Sequence, residues 1–300
     1  MAEGTGSSLL DRIVARKRQE IDILEKSGPG DWQSQSAPLD FYSALKRPGG
    51  RLRSATATSR EAGMDVESAR KPGDANSDYL PLNRAIISES KKASPSMGLI
   101  RPDYDPITIA ETYATLGASC LSVLTDEPFF QGSIEHLKLA RQAGIPVLRK
   151  DFLIHRLQIE QSRAIQADSL LLIVRLLDDA TLSDLLTYSR SMNMEPLVEV
   201  HSEAELIRAC DCGARIIGVN HRDLDTLEMD LSLSSRLAPV LRKKNPEAVF
   251  IAESGIENPE TLKEMSDYAD GFLIGTSLMR SPSIEEAWKH LFGPSSSPSS

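Results

Sequence analysis

Between Arg84 and Phe292, short apolar runs recur, and each is followed by a segment with apolar residues at helical spacing. The runs are "RAIISES" (84–90), "CLSVLTD" (120–126), "PVLRKDF" (146–152), "SLLLIVR" (169–175), "PLVEVH" (196–201), "RIIGVN" (215–220), "VFIAESG" (249–255) and "GFLIGTS" (271–277). Near-continuous Val, Ile and Leu suits parallel strands covered on both faces. The intervening segments carry helix starts. Ser202 and Glu205 read as a capping box, and Asn258 before Pro259 reads as an N-cap with a first-turn proline. Eight strand–helix units predict an α/β fold, a (β/α)8 TIM barrel. The competing doubly wound sheet calls for a glycine-rich fingerprint after its first strand, and none is present.

The chain outside this repeat divides into three parts. Residues 1–46 form an N-terminal helical extension, in which "SLLDRIVARKRQEIDILEK" (8–26) places Leu9, Ile13, Ile21 and Leu24 near helical spacing. From Arg47 to Asp78 there is no periodicity and much Gly, Ser, Arg and Asp, so residues 47–80 read as a disordered insertion or long loop before the first strand. The catalytic domain is then 81–293, and 294–300 reads as a disordered tail.

In such a barrel, chemistry sits at the C-terminal ends of the strands. Strand one ends at Glu89 and Lys91, and strand two runs into Phe129 and Phe130. Strand three supplies Lys150 and Phe152, strand five Glu199, and strand six Asn220 and Arg222. Strand seven gives Glu253, Ser254 and Gly255, and strand eight gives Gly275, Thr276 and Ser277. One polar strand end is only a place where a strand meets water. Two lysines, three glutamates, an asparagine and an arginine on one rim point to an anion undergoing acid–base chemistry, because charges are costly to bury unpaired. The small residues after strands seven and eight suit a phosphate site, where backbone N–H groups and a helix start can approach the ligand.

Composition narrows the partners. A formal charge of −9 argues against bulk attraction to nucleic acid or an anionic membrane, while leaving room for a locally basic site. No run is long enough to span a bilayer, and the N-terminus lacks an apolar signal core, so a cytoplasmic place is expected; an organellar address stays open. Cys120, Cys210 and Cys212 form no CxxC pair, which favours packing over metal and a reducing compartment.

The motifs "SESKKASPSMGLI", "SVLTDEPFFQGS", "PVLRKDF", "LVEVH", "IGVNHRDL", "ESGI" and "FLIGTSLM", in that order, closely resemble those of the indole-3-glycerol-phosphate synthase family. The resemblance runs from about Arg84 to Phe292, and the N-terminal helix is similar to that family's extension. It implies ring closure of 1-(2-carboxyphenylamino)-1-deoxyribulose 5-phosphate with loss of carbon dioxide and water, in tryptophan synthesis, without cofactor or metal. Other enzymes of that pathway remain open as partners.

By the same resemblance, Lys150 is the general acid and Glu199 the general base of the dehydration. Lys91 assists as an acid, Glu89 orients the lysines, and Asn220, Ser94 and Arg222 position the anthranilate part. Phe130 and Phe152 wall its ring, Glu253 joins the substrate contacts, and Ser254, Gly255, Gly275 and Thr276 hold the phosphate. Departures from the family pattern are Ser90 for an apolar residue, His221 for an asparagine, and Gln166 for a glycine. His201 and His221 are expected to be structural or to support a site residue from behind, rather than to act on substrate. Arg149 and Asp151 alternate outward and are expected to be salt-bridged or solvated. The residues alone leave two other readings open: a different phosphosugar barrel (an isomerase, or a Schiff-base aldolase using Lys150), and an inactive phosphate-binding barrel.

Overall fold

The structure is a computed structural model that describes residues 8–27, 36–46 and 84–293. The expected insertion at 47–80 and tail at 294–300 lie outside the described residues. Eight parallel strands close into a barrel: β1 Ala85–Ser90, β2 Cys120–Leu124, β3 Val147–Lys150, β4 Ser169–Ile173, β5 Leu197–Val200, β6 Ile216–Asn220, β7 Val249–Glu253 and β8 Gly271–Ile274. Each pairs with its sequence neighbour, and β1 pairs with β8 to close the ring. The TIM barrel expected from the runs is therefore the observed fold.

Among the described residues, a long helix, α1 (Leu9–Ser27), and a short one, α2 (Phe41–Lys46), precede the barrel. After β1 comes a small antiparallel hairpin, Ala93–Ser94 with Gly98–Leu99. The remaining helices follow the strands: α3 Pro106–Thr115, α4 Glu127–Phe130, α5 Ile134–Ala140, α6 Arg156–Ala164, α7 Asp179–Ser191, α8 Glu203–Asp211, α9 Leu233–Lys244, α10 Pro259–Met265, α11 Thr276–Met279 and α12 Ile284–Phe292.

Strand alternation splits the core in two. Ile86, Leu121, Val147, Leu172, Val198, Ile217, Phe250 and Phe272 face the helix layer. Ile87, Cys120, Leu148, Leu171, Leu197, Ile216, Ile251 and Leu273 fill the barrel interior. Successive strand side chains point to opposite faces, so a residue two places beyond an interior one also points inward. Glu89, Lys150, Glu199 and Glu253 each stand two places after an interior aliphatic: Ile87, Leu148, Leu197 and Ile251. The apolar floor and the charged rim are thus consecutive layers of one inward-facing set.

Local signals explain the helix starts. Asn258 Oδ1 accepts from Thr261 N at 2.8 Å, with Pro259 opening α10 as expected. The expected capping box at Ser202 is only half formed. Ser202 Oγ accepts from Glu205 N at 3.2 Å, but the Glu205 carboxylate takes the N–H of His201 at 2.8 Å instead of closing on Ser202. In α1 the buried face is Leu10, Ile13, Lys17 and Ile21, while Leu9 and Leu24 are half-buried. Of the expected stripe, Ile13 and Ile21 are buried, and Leu10 and Lys17 join them on that face.

Candidate active site

The fourteen residues to which the resemblance gives site roles all line one cavity at the C-terminal mouth of the barrel, whereas Phe129, also marked at a strand end, does not. Its centre is Lys150, at the end of β3. Its Nζ lies 2.7 Å from Glu199 Oε2 on β5 and 3.0 Å from Glu253 Oε2 on β7. Both carboxylates are buried. Burial alone pulls the Lys150 pKa down, but the charges of Glu199, Glu253 and Glu89 outweigh it and hold the ammonium well above the ordinary lysine value. Burial pushes a carboxyl up, and the two glutamates split on this point. Glu199 ends well below the ordinary range, because Lys150 and His201 together overcome desolvation. Glu253 is pushed up to about 7, because burial and the neighbouring Glu199 charge exceed the help from Lys150. Its Oε1 is buried with no hydrogen-bond partner among the described residues.

Beside this trio, Lys91 Nζ meets Glu89 Oε1 at 2.5 Å. Ser254 Oγ donates to Asn220 Oδ1 at 2.8 Å, and the backbone N–H of Arg222 donates to the same oxygen at 3.0 Å. The Arg222 guanidinium reaches the carbonyl of Leu227 at 3.3 Å. Phe130 and Phe152 stand 6.1 Å apart, centroid to centroid, with planes tilted by 37°. They form an apolar wall next to the cations, completed by Leu10 and Ile13 of α1 and by Leu171 and Ile173.

Two glycines give the charges room. A Cβ on Gly275 would stand 2.4 Å from Glu89 Oε1, and one on Gly218 would stand 1.9 Å from Glu253 Oε1. On the strand end between these two glycines, Ser254 takes the left-handed conformation at φ 68°, unusual for a residue with a side chain, and Gly255 follows it. Gly275 precedes α11, whose first amides, like those of any helix, lack an intrahelical acceptor and here receive no side-chain cap. These two turns are the strand-seven and strand-eight ends marked in the sequence.

The residues given structural readings hold such places. His221 is buried, with Nδ1 2.7 Å from the Glu253 carbonyl and Nε2 2.7 Å from Ser234 Oγ. Arg149 and Asp151 are salt-bridged at 3.0 Å, and both are buried, which removes the solvated alternative; Arg149 stays off the cavity, whereas Asp151 touches its edge. Ser90 Oγ pairs with the Tyr104 hydroxyl at 2.8 Å, so the hydroxyl that replaces an apolar group is satisfied. His201 takes the other expected place, behind a site residue. Its Nε2 lies 3.3 Å from Glu199 Oε1, and its Nδ1 lies 3.4 Å from Glu205 Oε2.

Sequence reading missed Lys17. Its ammonium is buried and sits 2.8 Å from both Asp126 Oδ2 and Asp151 Oδ1. The available signal was its i, i+4 spacing between Ile13 and Ile21, which places a charge on the apolar face.

The molecule is a TIM-barrel protein with titratable groups and two small-residue turns gathered at the C-terminal mouth of its barrel. A profile of the indole-3-glycerol phosphate synthase family matches residues 69–291. The chain is 42% identical to indole-3-glycerol phosphate synthase of Polaromonas naphthalenivorans, over 96% of this chain and 99% of that one. It is 46% identical to that of Roseiflexus sp. over 96% and 99%, and 46% identical to that of Aquifex aeolicus over 69% and 81%. The chain belongs to the indole-3-glycerol phosphate synthase family. A solved 3-hexulose-6-phosphate synthase superposes with a TM-score of 0.54 at 14% identity, over 69% of this chain and 97% of that one; this likeness reflects the fold alone. No helix among the described residues is long and apolar enough to cross a membrane.

Proposed function

We propose that the chain is a carbon–carbon lyase that converts 1-(2-carboxyphenylamino)-1-deoxyribulose 5-phosphate to indole-3-glycerol phosphate, carbon dioxide and water, a step of tryptophan synthesis. Family membership and the names of the relatives support the activity. The residue roles are those the motif resemblance implies, and the gathering of these residues in one cavity supports them. In this reading, the phosphate lies between Ser254–Gly255 and Gly275–Thr276. The aryl ring lies against Phe130 and Phe152, and its carboxylate faces Lys91 and Arg222, with Ser94 and Asn220 fixing the orientation.

The aryl carbon bearing the carboxylate then attacks the ribulose carbonyl. Lys150 gives a proton to the oxygen as the carbon–carbon bond forms, and the carboxylate leaves as carbon dioxide, restoring the ring. In the second stage the new hydroxyl departs as water with a proton from Lys91, while Glu199 accepts the proton released from the substrate. Glu89 keeps Lys91 aimed. A neutral Glu253 leaves Lys150 with one fewer anion holding its proton, which makes the lysine a better acid. Much of the rate gain comes from holding Lys150 on a rigid strand tip.

The observation that carries this reading is Lys150 clasped between Glu199 and Glu253 on the same rim as both small-residue turns. The test is incubation of purified protein with substrate while following indole fluorescence. Product appears if the reading holds. A product that keeps the carboxylate would indicate an isomerase, an imine trapped by borohydride would indicate an aldolase, and binding without product would indicate an inactive barrel.

A further inference from the structure

A buried lysine on a helix outside the barrel needs a reason, because desolvating an ammonium is costly unless anions surround it. Lys17 has three within reach: Asp126 Oδ2 and Asp151 Oδ1 at 2.8 Å each, and Glu20 Oε2 at 3.0 Å. Asp126 and Asp151 are both buried, whereas Glu20 is partly open to solvent. Burial pulls Lys17 down, yet the two aspartate charges leave its pKa raised.

Each aspartate controls something at the cavity. Asp151 follows Lys150 directly, and its Oδ1 accepts the Phe152 N–H at 2.8 Å. Its Oδ2 takes Thr125 Oγ1 at 2.6 Å and Arg149 Nη2 at 3.0 Å, which locks the outward side of the β3 tip. Asp126 is the N-cap of α4, the short helix ending in Phe130, through Phe129 N at 2.9 Å. Its other oxygen, Oδ2, accepts no hydrogen bond from elsewhere among the described residues. Lys17 itself does not line the cavity, but Leu9, Leu10 and Ile13 of the same helix do.

We infer that Lys17 is a positioning residue: its ammonium clasps Asp151 and Asp126 together, tying α1 to the strand tip that carries Lys150 and to the helix that carries Phe130. The extension thereby does two jobs at once, supplying apolar wall and fixing the acid. This inference rests on the acid–base reading given above for its catalytic consequence, though the clasp itself does not.

Three variants test it: Lys17→Met, Lys17→Arg and the double variant Lys17→Met with Asp126→Asn. Folded Lys17→Met should lose kcat by at least about tenfold, since a misplaced acid costs rate beyond binding. The double variant removes one unpaired buried charge, so its thermal stability should recover while kcat stays low. A merely structural role predicts the reverse coupling, with kcat per folded molecule near wild type or rising back with stability. Lys17→Arg keeps the charge and the fold; its fork cannot reproduce the compact ammonium, so kcat should fall with stability held, and this variant decides the matter if Lys17→Met does not fold. Amide hydrogen exchange gives a readout free of turnover: exchange at Phe152 and along α1 should speed up in each single variant. Unchanged exchange overturns the clasp even if the wild type makes no indole product. A wild type without product overturns the functional reading and leaves the exchange result standing.

Discussion

Glu199 and His201, two residues apart on one strand end, meet through Oε1 and Nε2 at 3.3 Å, while the other glutamate oxygen holds Lys150 at 2.7 Å. The assigned base is therefore pinned by a cation on each side. Burial lowers a histidine's pKa, but hydrogen bonds to Glu199 and Glu205 more than offset this and raise His201 from 6.5 to about 9. A raised basic group stabilises the fold fully below its unfolded pKa, and that contribution is lost as pH rises through the folded value. Stability should accordingly decline between pH 6.5 and about 9. His201→Gln should flatten that decline, which is worth up to about 3 kcal/mol. Urea unfolding at a series of pH values measures it; an unaltered slope in the variant would show the imidazole is neutral.

Lys150→Ala removes the donor at the centre of the cup. Turnover should drop by about 10² or more, the usual cost of losing a general acid, with substrate affinity changed far less. Steady-state kinetics supply kcat and KM separately. Near-normal turnover would remove Lys150 from the role.

Glu253 has the opposite perturbation from Glu199, and its pKa of about 7 lies where enzymes work. The folded state keeps a proton that the unfolded chain gives up near 4.5, so this group's contribution to stability falls as pH rises through about 7. Ionised Glu253 also tightens the hold on the Lys150 proton and repels an anionic substrate. The expected outcome is a kcat/KM that declines as pH passes about 7 in the wild type. Glu253→Gln should abolish that bend in the pH–rate profile. Persistence of the bend in the variant assigns it to another group.

Gln166 occupies a left-handed turn after α6, at φ 68°. A glycine there would adopt the conformation without strain. Gln166→Gly should stabilise the protein by about 1 kcal/mol, with kcat unchanged, because relief of a left-handed non-glycine residue is of that size. Thermal unfolding reads the change, and a lower Tm would contradict it.

Much of this was legible in the chain because strand alternation is simple. Period-two spacing carries Ile87 to Glu89, Leu148 to Lys150 and Ile251 to Glu253, so the rim charges can be read inward from the apolar residues before them. Lys17 was not legible in the same way. Its partners, Asp126 and Asp151, stand more than a hundred residues away, and sequence gives no distance across such a gap. The half-formed cap at Ser202 had a similar cause. Glu205 has the right spacing for a local box, but His201 offers both a backbone N–H and a ring nitrogen, and the carboxylate turned to them. Gly218 stands inside "IGVNHRDL", yet its role was hidden there, since it depends on how closely the Glu253 side chain on the adjacent strand approaches.

Single-turnover mixing of the protein with 1-(2-carboxyphenylamino)-1-deoxyribulose 5-phosphate, reading indole fluorescence and released carbon dioxide together, reaches the central claim most directly. The account predicts equal amounts of both from the wild type, and almost none of either from Lys150→Ala at the same bound fraction. Full substrate binding by the wild type with neither signal would contradict it.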